Sequence, residues 1–375
     1  MSWGLYLHVP WCSHRCPYCA FYVEVERQGA PWEAFAKSLS DEIHWRIERH
    51  GFEGPPSTIY LGGGTPSRMP LGVLDELLSS LPRAAGAEVT LEANPEDLNV
   101  EVLKGFHAAG VNRVSLGVQT FDAEHLRKLG RASTLPELRR ALDALQNGPI
   151  DNWSADLMFA LPGQTVESLD ADLDALLAYQ PPHVSLYGLT IEPDTSFERM
   201  RSEGRLAETE PETWRQLHDQ LVHRLEAAGL HRYEISNFAR TDRESRHNRM
   251  YWTDRPYLGA GPGAHGYAPN RTRWSNVADV LTWMDRADPT LFEEAYEPQR
   301  YASDLLISAL RGVDGLPLDY LASRSGLRPR SAVVDQLVGA GLLMPTPGKL
   351  ALTALGMPVA DSVVRSLIEA LEPAS

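Results

Sequence analysis

At 375 residues the chain is long enough for one large domain and a smaller one. Its 43% hydrophobic and 23% charged residues are those of an ordinary globular protein, and no apolar run approaches a membrane span. The net charge of −15 argues against a general binder of nucleic acid or anionic membrane, because both need a basic surface, and leaves only peripheral membrane association open.

In chain order, Met1–Val9 lacks the basic start and long apolar core of a signal peptide, so a reducing cytoplasm is the expected compartment. Leu5–Val9 reads as a strand, and Cys12, Cys16 and Cys19 follow it. Trp32–Ile47 has the helical spacing Phe35, Leu39, Ile43, Ile47. Strand, turn and helix then recur. The strands are Ser57–Leu61, Glu88–Glu92, Arg113–Val118, Ser154–Phe159 and His183–Leu189; the helices are Leu71–Leu81, Val100–Ala109, Ala123–Leu129, Pro136–Leu145 and Val166–Leu177. This repeat is the signature of parallel βαβ units, compatible with an open sheet or a partial barrel. Helix Thr213–Ala228 and a last short strand, Arg232–Phe238, close the first region, residues 1–240. Residues 241–298 read as a connecting segment containing His247-Asn248-Arg249-Met250-Tyr251-Trp252. In it, Tyr257–Gly266 has four glycines in ten positions and is expected to be irregular. Residues 299–375 read as a small helical domain with the pattern of a winged helix-turn-helix. With six Lys/Arg against seven Asp/Glu over residues 301–375, this tail lacks the basic face DNA requires and suits a docking or lid role.

These three cysteines are the chain's full complement, and they lie within eight positions. A disulfide with one spare thiol fits poorly, given an odd count and no secretory signal. A zinc site adding His8 or His14 is the other use open to these residues. The CxxxCxxC spacing matches neither the common zinc patterns nor the CxxC redox pair, which favours a [4Fe-4S] cluster with one iron left for a small molecule. Polar or glycine-rich residues recur where the strands end: Gly62–Thr65, Glu92, Gln119 and Asp156. In parallel α/β folds those ends converge on one face, and a site built from so many strands suits a barrel. With Arg131 they supply two carboxylates, an amide and a cation. The glycine run lets backbone approach a ligand closely.

The cysteine spacing after an N-terminal strand resembles the radical S-adenosylmethionine (SAM) superfamily, whose open iron takes the amino and carboxylate groups of SAM. Tyr6-Leu7-His8-Val9-Pro10-Trp11-Cys12, Gly62–Pro66, Glu92-Ala93-Asn94-Pro95, Gly117-Val118-Gln119, Leu129-Gly130-Arg131 and Asp156-Leu157-Met158 sharpen this to the branch related to oxygen-independent coproporphyrinogen III oxidase. The resemblance implies an α/β fold, a partial (β/α)6 radical SAM barrel with a small C-terminal domain. It implies cluster ligands Cys12, Cys16 and Cys19, and SAM contacts from Tyr6, Tyr18, Gly63, Gly64, Thr65, Glu92, Gln119, Arg131 and Asp156, with Gly188 a weaker counterpart. Phe21 stands where the decarboxylating enzyme has a fourth cysteine, and the first cysteine comes at residue 12 without that enzyme's N-terminal segment. Both features, with the HNxxYW phrase, resemble the HemW-type heme chaperones instead. That implies heme as cargo, an acceptor heme protein of unspecified identity, and a monomer or dimer without nucleic acid. Heme contact would fall to His247, Asn248, Tyr251 and Trp252, folded back over the open face, with His265 a second ligand. The residues alone offer another use, in which Tyr251 and Trp252 pin a loop to the barrel. The alternative function is a radical SAM oxidoreductase acting on a porphyrin or other substrate through a 5′-deoxyadenosyl radical.

Overall fold

The computed structural model describes residues 2–27 and 29–374. The first half alternates as β1 (Gly4–Val9), α1 (Trp32–His50), β2 (Thr58–Gly63), α2 (Leu71–Ser80), β3 (Glu88–Ala93), α3 (Val100–Ala108), β4 (Arg113–Gln119), α4 (Ala123–Lys128), α5 (Leu135–Asn147), β5 (Trp153–Phe159), α6 (Val166–Leu177) and β6 (His183–Gly188). Each strand pairs in parallel with the next: Leu5 beside Ile59, Ile59 beside Val89, Leu91 beside Val114, Leu116 beside Ala155, Ala155 beside Val184. The period of two then divides the side chains. Leu5, Leu7, Ile59, Leu61, Val89, Leu91, Val114 and Ala155 are buried in the main hydrophobic core with residues of the covering helices. Tyr6, Tyr60, Glu92, Ser115, Asp156 and Ser185 alternate with them and line the inner face of a partial barrel. Thr134 and Thr165 start α5 and α6 with reciprocal capping boxes, which fixes where those helices begin.

After β6 come α7 (Ser196–Ser202), α8 (Pro211–Ala227), β7 (His231–Arg232) and β8 (Asn237–Ala239). The single strand expected over Arg232–Phe238 is a hairpin, its turn closed by the Ser236 N–H donating to the Glu234 carboxylate at 3.0 Å. Next are α9 (Arg246–Trp252), β9 (Tyr257–Ala260), β10 (His265–Tyr267), β11 (Thr272–Asn276), α10 (Val280–Asp285) and β12 (Thr290–Ala295). The expectation of irregular chain over Tyr257–Gly266 is therefore corrected. Strand β9 pairs in parallel with β1, and β10 to β12 extend the sheet antiparallel, in the order β12-β11-β10-β9-β1-β2-β3-β4-β5-β6-β8-β7. The glycines serve packing: a Cβ at Gly259 would lie 1.9 Å from the His265 carbonyl oxygen.

Helices α11 (Pro298–Ala309), α12 (Leu318–Ser325), α13 (Ser331–Gly339) and α14 (Ala360–Glu369) share a second core containing Leu305, Leu306, Leu310, Leu321 and Leu367. The short pairings Leu316–Leu350 and Leu343–Leu352 follow the helix–helix–hairpin order of a winged helix. Asp254 ties this unit to the sheet by accepting from Tyr267 (3.0 Å), Tyr301 (2.5 Å) and Tyr320 (2.7 Å). No described helix is long and apolar enough to cross a membrane.

Candidate functional site

The cysteine loop leaves the end of β1 and is held by the turn after β2. The Gly64 N–H donates to the Val9 carbonyl (2.7 Å) and the Thr65 N–H to the Trp11 carbonyl (2.8 Å). Gly63 has φ +109°, and a Cβ there would lie 2.4 Å from the His8 ring; one at Gly64 would lie 2.7 Å from the Pro10 carbonyl group. The glycines expected to open room for a ligand are thus first required by the loop that carries the cysteines. The loop's other side is pinned by His14 Nε2 donating to the Gly130 carbonyl (2.6 Å) and the Phe197 N–H donating to the Pro17 carbonyl (2.9 Å).

Cys12, Cys16 and Cys19 are all unpaired and half-buried. The Thr65 hydroxyl donates to Cys12 Sγ at 3.4 Å, and Arg131 Nη1 lies 4.0 Å from Cys16 Sγ. Burial lifts the Cys12 thiol to about 11 and also raises Cys19, so both hold their protons at neutral pH. Thr65 and Arg131 are the groups that favour the Cys12 thiolate. Among the described residues no three cysteine, histidine or carboxylate side chains converge tightly enough for a single metal ion. Zinc, bonded at about 2.3 Å to each sulfur, needs that convergence; a cluster offering each thiolate its own iron does not.

Behind the loop, Glu92 projects into the barrel and accepts from Tyr60 Oη (2.8 Å) and the Gly63 N–H (3.0 Å). Burial, reinforced by Asp156, lifts its carboxyl to about 7 against the opposing pull of those two donors. Asp156 accepts from Ser115 and Ser154, each at 3.1 Å, and burial raises it as well. Tyr6 donates to His8 Nδ1 (3.0 Å), while His8 Nε2 donates to the Tyr22 carbonyl (3.0 Å), which fixes the imidazole tautomer. Tyr18 lies against Phe197 and near Arg131, and burial raises its phenol to about 12. Gln119 ends β4 with φ +64° and is buried. Seven of the nine residues assigned to SAM by resemblance lie on the inner face of the barrel or at the carboxyl ends of its strands; Tyr18 sits on the cysteine loop and Arg131 on the loop after α4.

The raised Glu92 carboxyl has a measurable consequence. Between its ordinary value of 4.5 and about 7, the folded chain retains a proton that the unfolded chain releases, so this group's contribution falls as pH rises. Glu92→Gln does not titrate, so its stability relative to the native chain rises across that window. Urea unfolding at about pH 5 and about pH 8 measures it; an unchanged difference between the two would contradict the assignment.

The HNxxYW segment lies elsewhere. It forms α9, and the N–H groups of Arg246 and His247 donate to Glu88 at the start of β3 (3.1 and 3.0 Å). The buried His247 ring bonds Thr58 Oγ1 (2.7 Å) through Nδ1 and Tyr251 Oη (2.9 Å) through Nε2, and stacks on Tyr60 at 5.1 Å. Thr58 begins β2, whereas the cysteine loop sits at its end, about 16 Å away at the usual strand rise. The expectation that this stretch folds over the open face is corrected: α9 closes the opposite end of the barrel. Ser245 caps the helix by accepting from the Asn248 backbone N–H (3.2 Å), and Trp252 faces Arg311 of the C-terminal domain at 5.8 Å. His265 is exposed, and by register it shares a sheet face with Tyr6 through Gly259. Among the described residues its ring has no hydrogen bond.

Sequence reasoning assigned no role to Asn94, Tyr60, Ser115 or Ser154. The last three are readable in principle, as polar residues at every second position of otherwise apolar strands. Asn94 carries no such signal, only its place just past a strand end and in the Glu92-Ala93-Asn94-Pro95 phrase.

The radical SAM superfamily profile matches residues 6–176. The heme chaperone HemW of Bacillus subtilis is 37% identical over 75% of this chain and 74% of its own length. The heme chaperone HemW of Lactococcus lactis is 32% identical over 97% of this chain and 96% of its own. The coproporphyrinogen III oxidase HemN of Escherichia coli, a radical SAM enzyme, superposes with a TM-score of 0.82 at 21% identity, covering 98% of this chain and 90% of that one, which establishes the shared fold.

Proposed function

Since the chain belongs to the HemW family of the radical SAM superfamily, we propose that it is a cytoplasmic heme chaperone, binding heme and passing it to an acceptor heme protein. The observation that carries this reading is full-length similarity to a heme chaperone, with 97% of this chain matched. Cys12, Cys16 and Cys19 hold a [4Fe-4S] cluster, and Arg131, Gln119, Glu92 and Asp156 surround SAM. When bound, such a cluster supplies an electron and an open iron for the amino and carboxylate groups of SAM. The chain's own contribution is orientation: Gly63 and Tyr60 fix the Glu92 carboxylate, and Ser115 and Ser154 fix Asp156.

For heme, His265 is the exposed one of the two candidate imidazoles, whereas His247 would have to give up both ring hydrogen bonds first. Phe21, 68% exposed on the cysteine loop, adds apolar surface and no thiol. A second reading, a radical enzyme acting on a porphyrin, draws support from the carboxylate-lined barrel. The anaerobically reconstituted chain is expected to take up heme, release it to an apo heme protein, and leave coproporphyrinogen III unconverted. Absorption spectra and porphyrin chromatography check this; conversion to protoporphyrinogen IX would replace the chaperone reading with the enzymatic one.

A further inference from the structure

Two sulfurs of the cysteine loop receive polar contacts from groups that share one partner. Arg131 Nη2 donates to Asn94 Oδ1, while its Nη1 faces Cys16 Sγ at 4.0 Å. Asn94 Nδ2 donates to Thr65 Oγ1 at 3.3 Å, and the Thr65 hydroxyl donates to Cys12 Sγ at 3.4 Å. The direction of each bond is determined. A guanidinium only donates, so the Asn94 oxygen must face Arg131 and its NH2 must face Thr65. Thr65 has one proton, and with its oxygen already accepting from Asn94, that proton is left for Cys12.

We infer that Asn94 is a positioning residue for the cysteine sulfurs, relaying the positive end of Arg131 through its amide and the Thr65 hydroxyl onto Cys12. Every bond along Arg131–Asn94–Thr65–Cys12 points its donor toward sulfur, and the same cation reaches Cys16 directly. Aligned hydrogen bonds polarise one another, so the amide strengthens the final O–H···S contact. Hydrogen bonds to ligand sulfurs are among the groups that set an iron–sulfur potential, because they stabilise the more negative, reduced state. Asn94 is thereby a second-layer control on the metal site, although it lies on neither the cysteine loop nor the loop of Arg131.

The inference rests on the [4Fe-4S] reading, and the two fail separately. Iron and sulfide analysis of the native chain tests the reading; the midpoint potential of the reconstituted full-length protein tests the relay. Asn94→Asp is nearly isosteric but cannot donate to Thr65, whose proton then turns to the carboxylate and away from Cys12. Its potential falls both through the new charge and through the lost donor. In a Thr65→Val background only the charge remains, so the shift caused by Asn94→Asp is smaller there than in the native background. Equal shifts in the two backgrounds, or no shift in the native one, would overturn the inference. If Asn94→Asp holds no cluster, the uncharged Asn94→Leu takes its place in the same cycle. It lowers the potential in the native background and leaves it unchanged beside Thr65→Val; any other pattern counts against the relay.

Discussion

Serine in place of Cys12, Cys16 or Cys19 is expected to prevent assembly of the proposed iron–sulfur cluster while leaving the fold intact. After anaerobic reconstitution the native chain should contain about four iron and four sulfide, and each variant close to none. The reason is arithmetic as well as geometric. The chain has no fourth cysteine to substitute, and the loop is braced so that each thiol has its own setting: Cys12 under Thr65, Cys16 under Arg131, Cys19 at the turn closed onto the Cys16 carbonyl at 3.1 Å. The bracing uses backbone groups of Val9, Trp11, Gly64 and Thr65, together with His14, none of which a serine alters. None of the three cysteines belongs to a hydrophobic core, so the urea midpoint of the unreconstituted variants stays at the native value. Stoichiometric zinc without sulfide in the native protein would refute the cluster, and a variant that kept four irons would refute the ligand set.

The parallel core was legible because each of its strands carries the same local message: an apolar outer row, a turn, then a capped amphipathic helix. Boundaries moved by a residue or two. Strand β2, for example, continues through Gly62 and Gly63, since their backbones pair with His8 and Val9. The strands after residue 240 were not legible. Gly259 and Gly261 carry the local signature of a turn, and only their distant neighbours, the backbones of His265 and His8, show that they are sites of close backbone approach. The cysteine face was readable from strand-end residues because parallel topology sends every such end to one side. Which end a later segment returns to is a long-range property, and nothing between Arg246 and Trp252 encodes it. Glu88 decides it, as a carboxylate at the start of β3 that accepts the first N–H groups of α9.

The placement of α9 makes His247→Ala a severe stability variant. The imidazole is 1% exposed, and its removal takes away the Tyr251 hydroxyl's partner and leaves buried Thr58 only a weak contact to Met250 Sδ at 3.5 Å, while opening a cavity beneath Tyr60. A hydroxyl left without a good partner costs about 1–3 kcal/mol, and the lost packing adds to that, so the variant should lose at least about 3 kcal/mol. The loss should be centred on α9 and on its contacts with the C-terminal domain through Arg249–Asp314 and Trp252–Arg311, where amide exchange accelerates first. Its pH dependence gives a second check. Burial, aided by the charge of Arg113, depresses the imidazole to about 3 from its ordinary 6.5. Below 6.5 the unfolded chain therefore binds a proton that the native fold refuses, and the stabilisation due to His247 drains away as pH falls toward 3. The gap between native and His247→Ala proteins accordingly narrows on acidification. Heme titration separates this role from ligation. At a temperature where the variant remains folded, His247→Ala keeps the Soret band and affinity of the native chain, whereas His265→Ala weakens or shifts both. A variant as stable as the native chain that failed to bind heme would return His247 to the heme site and require α9 to leave the barrel when heme arrives.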